Sequence, residues 1–406
     1  MPYPFAGAYK APRGSAIREL FPYLSLPDMI SFAGGYPSPA LFDAEGLHAA
    51  MEHAMRAPPA DWLQYANTQG ELPLREALVA WMARRDIIAK PDQVLVTTGS
   101  QQGFDLILRV MVEPGDTVLV ERPTYTTALQ ALRHAGARVV TVASDADGID
   151  VGELESVLAR RGGDIKALYT LPTFGNPTGA TLALARRKKL LELAMRHELL
   201  IIEDDAYGDL RFDGEEVPAL AALARDAGAE DRLVYLATLS KIVAPGLRTG
   251  WMVAPPEIVQ RCVIAKQTID LSTSPWIQGA ATHYLKSGLL ERHLPRIRAA
   301  YREQAHAMVG ALRERLAGKI AFSAPQGGMF VWGFLPAGVD ASVLVRTAIE
   351  EKVMYVPGAP FYADAPDPRS LRLCFSMSTP ERIRVGVERL ERAFSRYDSN
   401  SLEEER

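Results

Sequence analysis

Between residues 93 and 256 the chain alternates short apolar, β-branched runs with longer amphipathic stretches, and this alternation constrains the fold more than any other feature. Seven runs read as strands: "QVLVTTG" (93 to 99), "DTVLVERP" (116 to 123), "ARVVTVA" (137 to 143), "IKALYTLP" (165 to 172), "LLIIEDDAY" (199 to 207), "LVYLATLSK" (233 to 241) and "GWMVAPP" (250 to 256). Segments between them, such as "TLALARRKKLLELAMRHE" (181 to 198), repeat apolar residues at helical spacing. The prediction is an α/β fold with a mainly parallel, seven-stranded sheet between helices.

From about Arg292 the pattern changes to a long charged helix, two shorter strands in "GGMFVWGFL" and "SLRLCFS", and a last helix in "TPERIRVGVERLERAFSRY". These read as a smaller α+β lobe. Since 406 residues exceed what one core usually supports, we expect an N-terminal segment at 1–30, a large domain at 31–290 and a small C-terminal domain at 291–397. The polar tail 398–406 is expected to be disordered.

The 45 basic and 49 acidic residues are interspersed and leave a formal charge of -4, so no polybasic track marks the chain for nucleic acid or anionic lipid. A small-molecule substrate is the better reading. Cys262 and Cys374 stand far apart and outside any CxxC spacing, which supports neither a disulfide framework nor a zinc knuckle. The N-terminus "MPYPFAGAYKAPRGS" lacks the unbroken apolar core of a signal peptide, and no long apolar run follows; a soluble, cytoplasmic protein is expected.

In open α/β sheets, ligands sit beyond the carboxyl ends of the strands. Several polar residues fall there: Ser100 and Gln101 in "GSQQG", Asn176 in "TFGNPTG", Asp204 and Tyr207 at the end of "LLIIEDDAY", and Ser240 and Lys241 in "TLSKIVAPGLRTGW". The last segment holds only two charges, Lys241 and Arg248, among small and apolar residues. "GSQQG" opens a helix, whose free N–H groups suit a phosphate, although Ser100 alone would also serve as an N-cap. Arg248 and the hydroxyls of Thr238 and Ser240 complete such an anion site, or Arg248 pairs with a carboxylate. Asp204 needs a cation or strong donor if buried, and a helix cap or a salt bridge is its plain alternative. Asn176 also fits turn chemistry, and Tyr125 and Tyr207 fit the edge of a core. Together, a Schiff-base lysine, a phosphate nest, a carboxylate for a pyridinium, donors for a phenolate and an aromatic to stack on a ring describe a pyridoxal phosphate site.

On these motifs, with "ISFAGGYPSP" (30 to 39), "LQYANTQGELPLREAL" (63 to 78), "PTYTTAL" (123 to 129) and "SLRLCFS" (370 to 376), the chain resembles the class I/II aminotransferases, pyridoxal-phosphate enzymes of fold type I. The resemblance implies a transaminase and gives each residue a role. Lys241 matches the lysine that forms the Schiff base and shuttles the proton. Asp204 matches the partner of the pyridine nitrogen, Asn176 and Tyr207 the donors to O3′, and Tyr125 the stacking aromatic. Ser100, Gln101, Thr238, Ser240 and Arg248 match the phosphate set. Tyr65 matches the tyrosine that reaches the neighbouring subunit's phosphate, which implies a homodimer with shared sites. Arg372 matches the arginine that grips the substrate carboxylate, with Asn176 and Gly35 beside it.

Two positions depart from the family's usual residues: Ala206 in place of proline, and Thr238 in place of serine. Both leave the chemistry intact. "AGGYPSP" and "GSQQG" are most similar to the group of 2-aminoadipate, kynurenine, aromatic and branched-chain aminotransferases. There "GSAIREL" (14 to 20) matches a mobile helix over the site, with Arg18 either reading a distal carboxylate or lying solvated. The expected reaction is ping-pong, with 2-oxoglutarate as acceptor. The same scaffold also supports lyases, and related domains occur as regulators fused to DNA-binding helices, a module not expected from residues 1–31. Metal sites are not expected: "HELLI" has Ile201 where HExxH needs histidine, and "DADGIDVGELE" fails as a calcium loop at Ala143 and Leu154.

Overall fold

The computed structural model describes residues 3–5, 9 and 18–404, with side chains for these save Arg18, Glu19, Phe21 and those beyond Tyr397. The strands in chain order are β1 (Ile30–Ser31), β2 (Val94–Thr97), β3 (Thr117–Arg122), β4 (Arg138–Asp145), β5 (Gly148–Ile149), β6 (Ile165–Thr170), β7 (Leu200–Asp204), β8 (Leu233–Thr238), β9 (Gly250–Val253), β10 (Ala321–Phe322), β11 (Phe330–Phe334), β12 (Val353–Met354), β13 (Val356–Pro357) and β14 (Ser370–Cys374).

The large sheet runs β2-β9-β8-β7-β6-β3-β4-β5. All seven expected strands are in it, and β5 adds an eighth. This two-residue edge strand turns back antiparallel on β4 through Ser144↔Ile149 and Asp145↔Gly148, too short to show a period in sequence. Strands β8, β7, β6, β3 and β4 are parallel, whereas β9 runs antiparallel to both β8 and β2.

Side chains alternate across this sheet as a period of two demands. Val118, Val120, Ala167, Tyr169, Leu200 and Ile202 pack with Leu106, Ile107 and Leu129, while Leu119, Leu168 and Ile201 pack with Leu154, Leu190 and Leu191 on the other face. Both faces are therefore covered, which is why these strands read as near-continuous apolar runs.

The C-terminal part forms an antiparallel sheet β10-β11-β14-β13 with helices Leu289–Arg315, Ala341–Glu350 and Pro380–Glu404. A third, two-stranded sheet pairs β1 with β12 and ties the N-terminal segment to this lobe. The last helix continues to Glu404, so the tail expected to be disordered is helical from 398 to 404. Once a helix is nucleated each further residue adds a bond, and "SLEEE" holds good helix formers. No helix among the described residues is long and apolar enough to cross a membrane.

Candidate active site

The carboxyl ends of β2, β3, β6, β7 and β8 meet around a cavity of about 480 Å³. Because β9 is antiparallel, its start lies at the same edge and delivers Arg248 there. Gly35, Ser100, Gln101, Tyr125, Asn176, Asp204, Tyr207, Thr238, Ser240, Lys241, Arg248 and Arg372 all line this cavity. Tyr65 does not: it is 79% exposed, on the loop after helix Pro59–Leu63. Arg18 opens a short 3-10 helix to Ser25, but its side chain and residues 14–17 lie outside the described residues.

The run Glu203-Asp204-Asp205 shows how alternation assigns one carboxylate to the site. Asp204 shares the face of Leu200 and Ile202, so it meets Tyr169 on β6, whose hydroxyl donates to its Oδ2 at 2.7 Å. Its Oδ1 is buried and has no hydrogen-bond partner among the described residues. Burial pushes the Asp204 carboxyl up to about 6, against the Tyr169 hydrogen bond and the nearby Lys241. Glu203 faces the other way and accepts the N–H groups of Leu220 (2.9 Å) and Ala221 (2.8 Å) at a helix start. Asp205 takes Arg85 at 2.7 Å and the Tyr235 hydroxyl at 2.9 Å. The cap and the salt bridge that sequence offered as alternatives for Asp204 belong to its two neighbours.

Lys241 stands three residues beyond β8, and its Nζ donates to the Gly35 carbonyl at 3.0 Å. No carboxylate among the described residues forms a salt bridge with it. Burial lowers its pKa to about 8; Arg372 and Arg248 push the same way, while Cys374 and Asp204 push back. A partly neutral amine results at physiological pH, as a base or nucleophile requires.

One end of the cavity is built for an anion. Gly99 has φ 83 and caps helix Ser100–Met111; a Cβ on it would lie 2.6 Å from Arg248 Nη2. A Cβ on Gly250 would lie 2.5 Å from the Ser100 nitrogen. Both glycines let the chain approach closely enough to form a cup of backbone N–H groups at a helix start. Thr238 Oγ1 accepts the Ser240 N–H at 3.1 Å and lies 2.9 Å from Ser240 Oγ. Arg248 donates only to carbonyls, of Thr98 at 3.3 Å and Pro245 at 3.2 Å, and no described carboxylate pairs with it.

The other end holds Arg372, on β14 and 1% exposed. It donates to Asn176 Oδ1 (2.7 Å) and the Ala33 carbonyl (2.6 Å), and its guanidinium lies over Phe330 at 4.4 Å and Phe361 at 5.0 Å. Among the described residues its Nε has no partner and no carboxylate pairs with it. A fully buried guanidinium met only by neutral groups is poised for an incoming carboxylate. Asn176 Oδ1 accepts from Arg372, which orients the amide so that its N–H groups can donate to a ligand.

Sequence reasoning missed Tyr169, read there as strand interior. Its placement one residue before the end of β6, beside Asp204's strand, was the available signal. The pair Lys266 and Asp270 was also missed. A lysine among "VIAKQTIDL" is as isolated as Lys241, and an aspartate four residues on was the clue.

A crossover sheet with a lysine, a carboxylate and a phosphate cup at its carboxyl edge defines a pyridoxal-phosphate enzyme of fold type I. The chain belongs to the aminotransferases of class I and II, whose family model matches residues 38–390. It is 42% identical to the 2-aminoadipate transaminase of Thermus thermophilus over 381 residues, 94% of each chain. With the aromatic-amino-acid aminotransferase 1 of Thermococcus litoralis it shares 41% over 382 residues, 93% of this chain and 91% of that one. Among solved structures it matches an α-aminoadipate aminotransferase of Thermus thermophilus complexed with N-(5′-phosphopyridoxyl)-L-leucine, with TM-score 0.89 and 40% identity, covering 96% of this chain and 97% of that one. The protein is a transaminase. Pyridoxal phosphate fits the residues present: the cup could take the phosphate, Asp204 Oδ1, which has no partner among the described residues, could take the pyridine N–H, and Lys241 offers an amine for the aldehyde.

Proposed function

We propose that the protein moves the amino group of an L-amino acid with a 2-aminoadipate, aromatic or branched-chain side chain to a 2-oxo acid, 2-oxoglutarate, by a ping-pong mechanism. The observation that carries this reading is Arg372, a buried guanidinium without a carboxylate, in one cavity with the weakly basic Lys241. Bound pyridoxal phosphate supplies an electron sink for the α-carbon and a carrier for the nitrogen.

The chain's own residues do the rest. Arg372 holds the α-carboxylate and so fixes which bonds of the α-carbon face Lys241. Lys241 Nζ takes the α-proton and returns it on the other side of the nitrogen. Asp204, held by Tyr169, would keep its charge against the pyridine nitrogen, while Asn176 and Tyr207 would donate to the ring oxygen and Tyr125 would cover the ring face. Since one Arg372 serves the carboxylates of both acids, they must bind in turn. The first product leaves before the second acid enters.

The choice of donors draws on the names of the 2-aminoadipate and aromatic relatives, and a distal carboxylate would be read by Arg18. A homodimer belongs to the same proposal. Tyr65 is exposed beside Leu63 (69% exposed), and this loop packs near Trp276 through Trp62, whose ring centroid lies 6.5 Å away. That is a surface suited to a second copy, whose cofactor phosphate Tyr65 would reach. The cytoplasmic setting is likewise proposed, on two free buried cysteines. Initial rates over a grid of donor and 2-oxoglutarate concentrations test the mechanism: parallel double-reciprocal lines are expected, and converging lines would refute the ping-pong order.

A further inference from the structure

Behind the phosphate cup lies a hydrogen-bonded polar cluster, open to solvent at Asp270, that no step above uses. Lys266, in the last turn of helix Pro256–Gln267, is 0% exposed. Its Nζ donates to Asp270 Oδ1 at 2.6 Å and to Gln102 Oε1 at 3.1 Å. Asp270 Oδ2 accepts from Gln102 Nε2 at 2.7 Å and from the Thr98 hydroxyl at 2.9 Å. Gln102 Oε1 also accepts the Thr98 backbone N–H at 2.8 Å.

Thr98 is the residue immediately before the cup. Its N–H goes to Gln102, its hydroxyl to Asp270, and its carbonyl accepts from Arg248 at 3.3 Å. Each polar group of Thr98 is therefore bound, two of them to partners that Lys266 fixes. The next residue, Gly99, clears Arg248 so narrowly that a single added carbon would collide with it. A small rotation at Thr98 would carry the N–H groups of Ser100 and Gln101, and Arg248 with them, out of register for one anion.

A buried ammonium is costly in itself, and what sets this lysine apart from an apolar side chain of the same length is the geometry it fixes on Asp270 and Gln102. We infer that Lys266 and Asp270 are positioning residues that hold Thr98 and Gln102, and through them the N–H cup and Arg248, in register for the cofactor's phosphate. The inference rests on the pyridoxal phosphate reading and adds residues that touch neither cofactor nor substrate.

The test compares two ligands that differ only in the phosphate. Full-length protein freed of cofactor is titrated with pyridoxal phosphate and with pyridoxal, following the visible band of the ligand joined to Lys241. Asp270→Asn and Lys266→Met should each weaken pyridoxal phosphate by roughly 10- to 100-fold while pyridoxal changes less than about twofold. Thr98→Val, which keeps shape and charge, should show a smaller loss with the same selectivity. Equal losses for both ligands would make the cluster general scaffolding and overturn the inference. So would unchanged affinity for both. If the unmutated protein forms the band with neither ligand, the underlying cofactor reading fails, and the inference with it.

Discussion

Two lysines, 25 positions apart in sequence, one fully buried and one half-buried in the cavity wall, show what separates a reactive group from a structural one. Lys266 is sealed from solvent and meets a carboxylate and an amide oxygen. Lys241 is likewise depressed by burial, but among the described residues its only hydrogen-bond partner is a backbone carbonyl, and two arginines face it across the cavity. Burial lowers both pKa values, and at Lys266 the adjacent Asp270 opposes the fall. Compensation suits one cation to the frame, and its absence suits the other to the role of base proposed for it. The same contrast divides the carboxylates of β7: Glu203 is satisfied by two N–H groups, whereas Asp204 keeps an oxygen without a partner.

Removing each group should break the contrast in a different currency. Lys241→Ala should lose turnover by roughly 10⁴-fold or more in steady-state assays, yet the cofactor-free protein should melt no lower, since an uncompensated amine has been deleted. A marked fall in melting temperature would place Lys241 in the frame instead. Arg372→Ala should reduce kcat/KM by roughly 10²- to 10³-fold, with most of the loss in KM, because a buried charge made for the substrate carboxylate is gone.

Lys266→Met should show the reverse pattern to Lys241→Ala. Chemical denaturation of the cofactor-free protein should report a loss of about 1 to 3 kcal/mol, because Asp270 and Gln102 lose their donor. Tyr169→Phe should slow kcat by roughly 10-fold, the worth of one hydrogen bond to a charged carboxylate. The smallest effect is one of shape. Lys241 must be neutral to attack the cofactor, so capture of pyridoxal phosphate by cofactor-free protein should quicken as pH rises to about 8 and level off above it. Stopped-flow traces that keep quickening towards pH 10 would show an ordinary lysine.

How much of this was legible in the sequence follows from the same physics. The strands of the large sheet are covered on both faces, so seven of them stood out as apolar runs, and Asp204 and Lys241 stood out as charges at their ends. The two-residue strands β1, β5 and β12 did not, because their pairing is decided by partners and not by any period. Tyr169 was hidden for a related reason: a tyrosine in a strand reads as core until the neighbouring strand places a carboxylate beside it. Lys266 was hidden because its compensation comes from Asp270 and from Gln102, which lies 164 positions away. Tyr65, assigned from resemblance, lies away from the cavity of its own chain, and its role turns on a second copy.

The most direct test of the central claim, that Lys241 and Arg372 serve a cofactor that accepts nitrogen from amino acids, is a visible absorption titration of the purified protein. Amino acids (2-aminoadipate, glutamate, kynurenine, aromatic and branched-chain) are added one at a time with no 2-oxo acid present. The account predicts a band from cofactor joined to Lys241, absent in Lys241→Ala, that one group of donors converts to the aminated form. A protein that shows no such band even with added pyridoxal phosphate, or whose band persists with every donor, would contradict it.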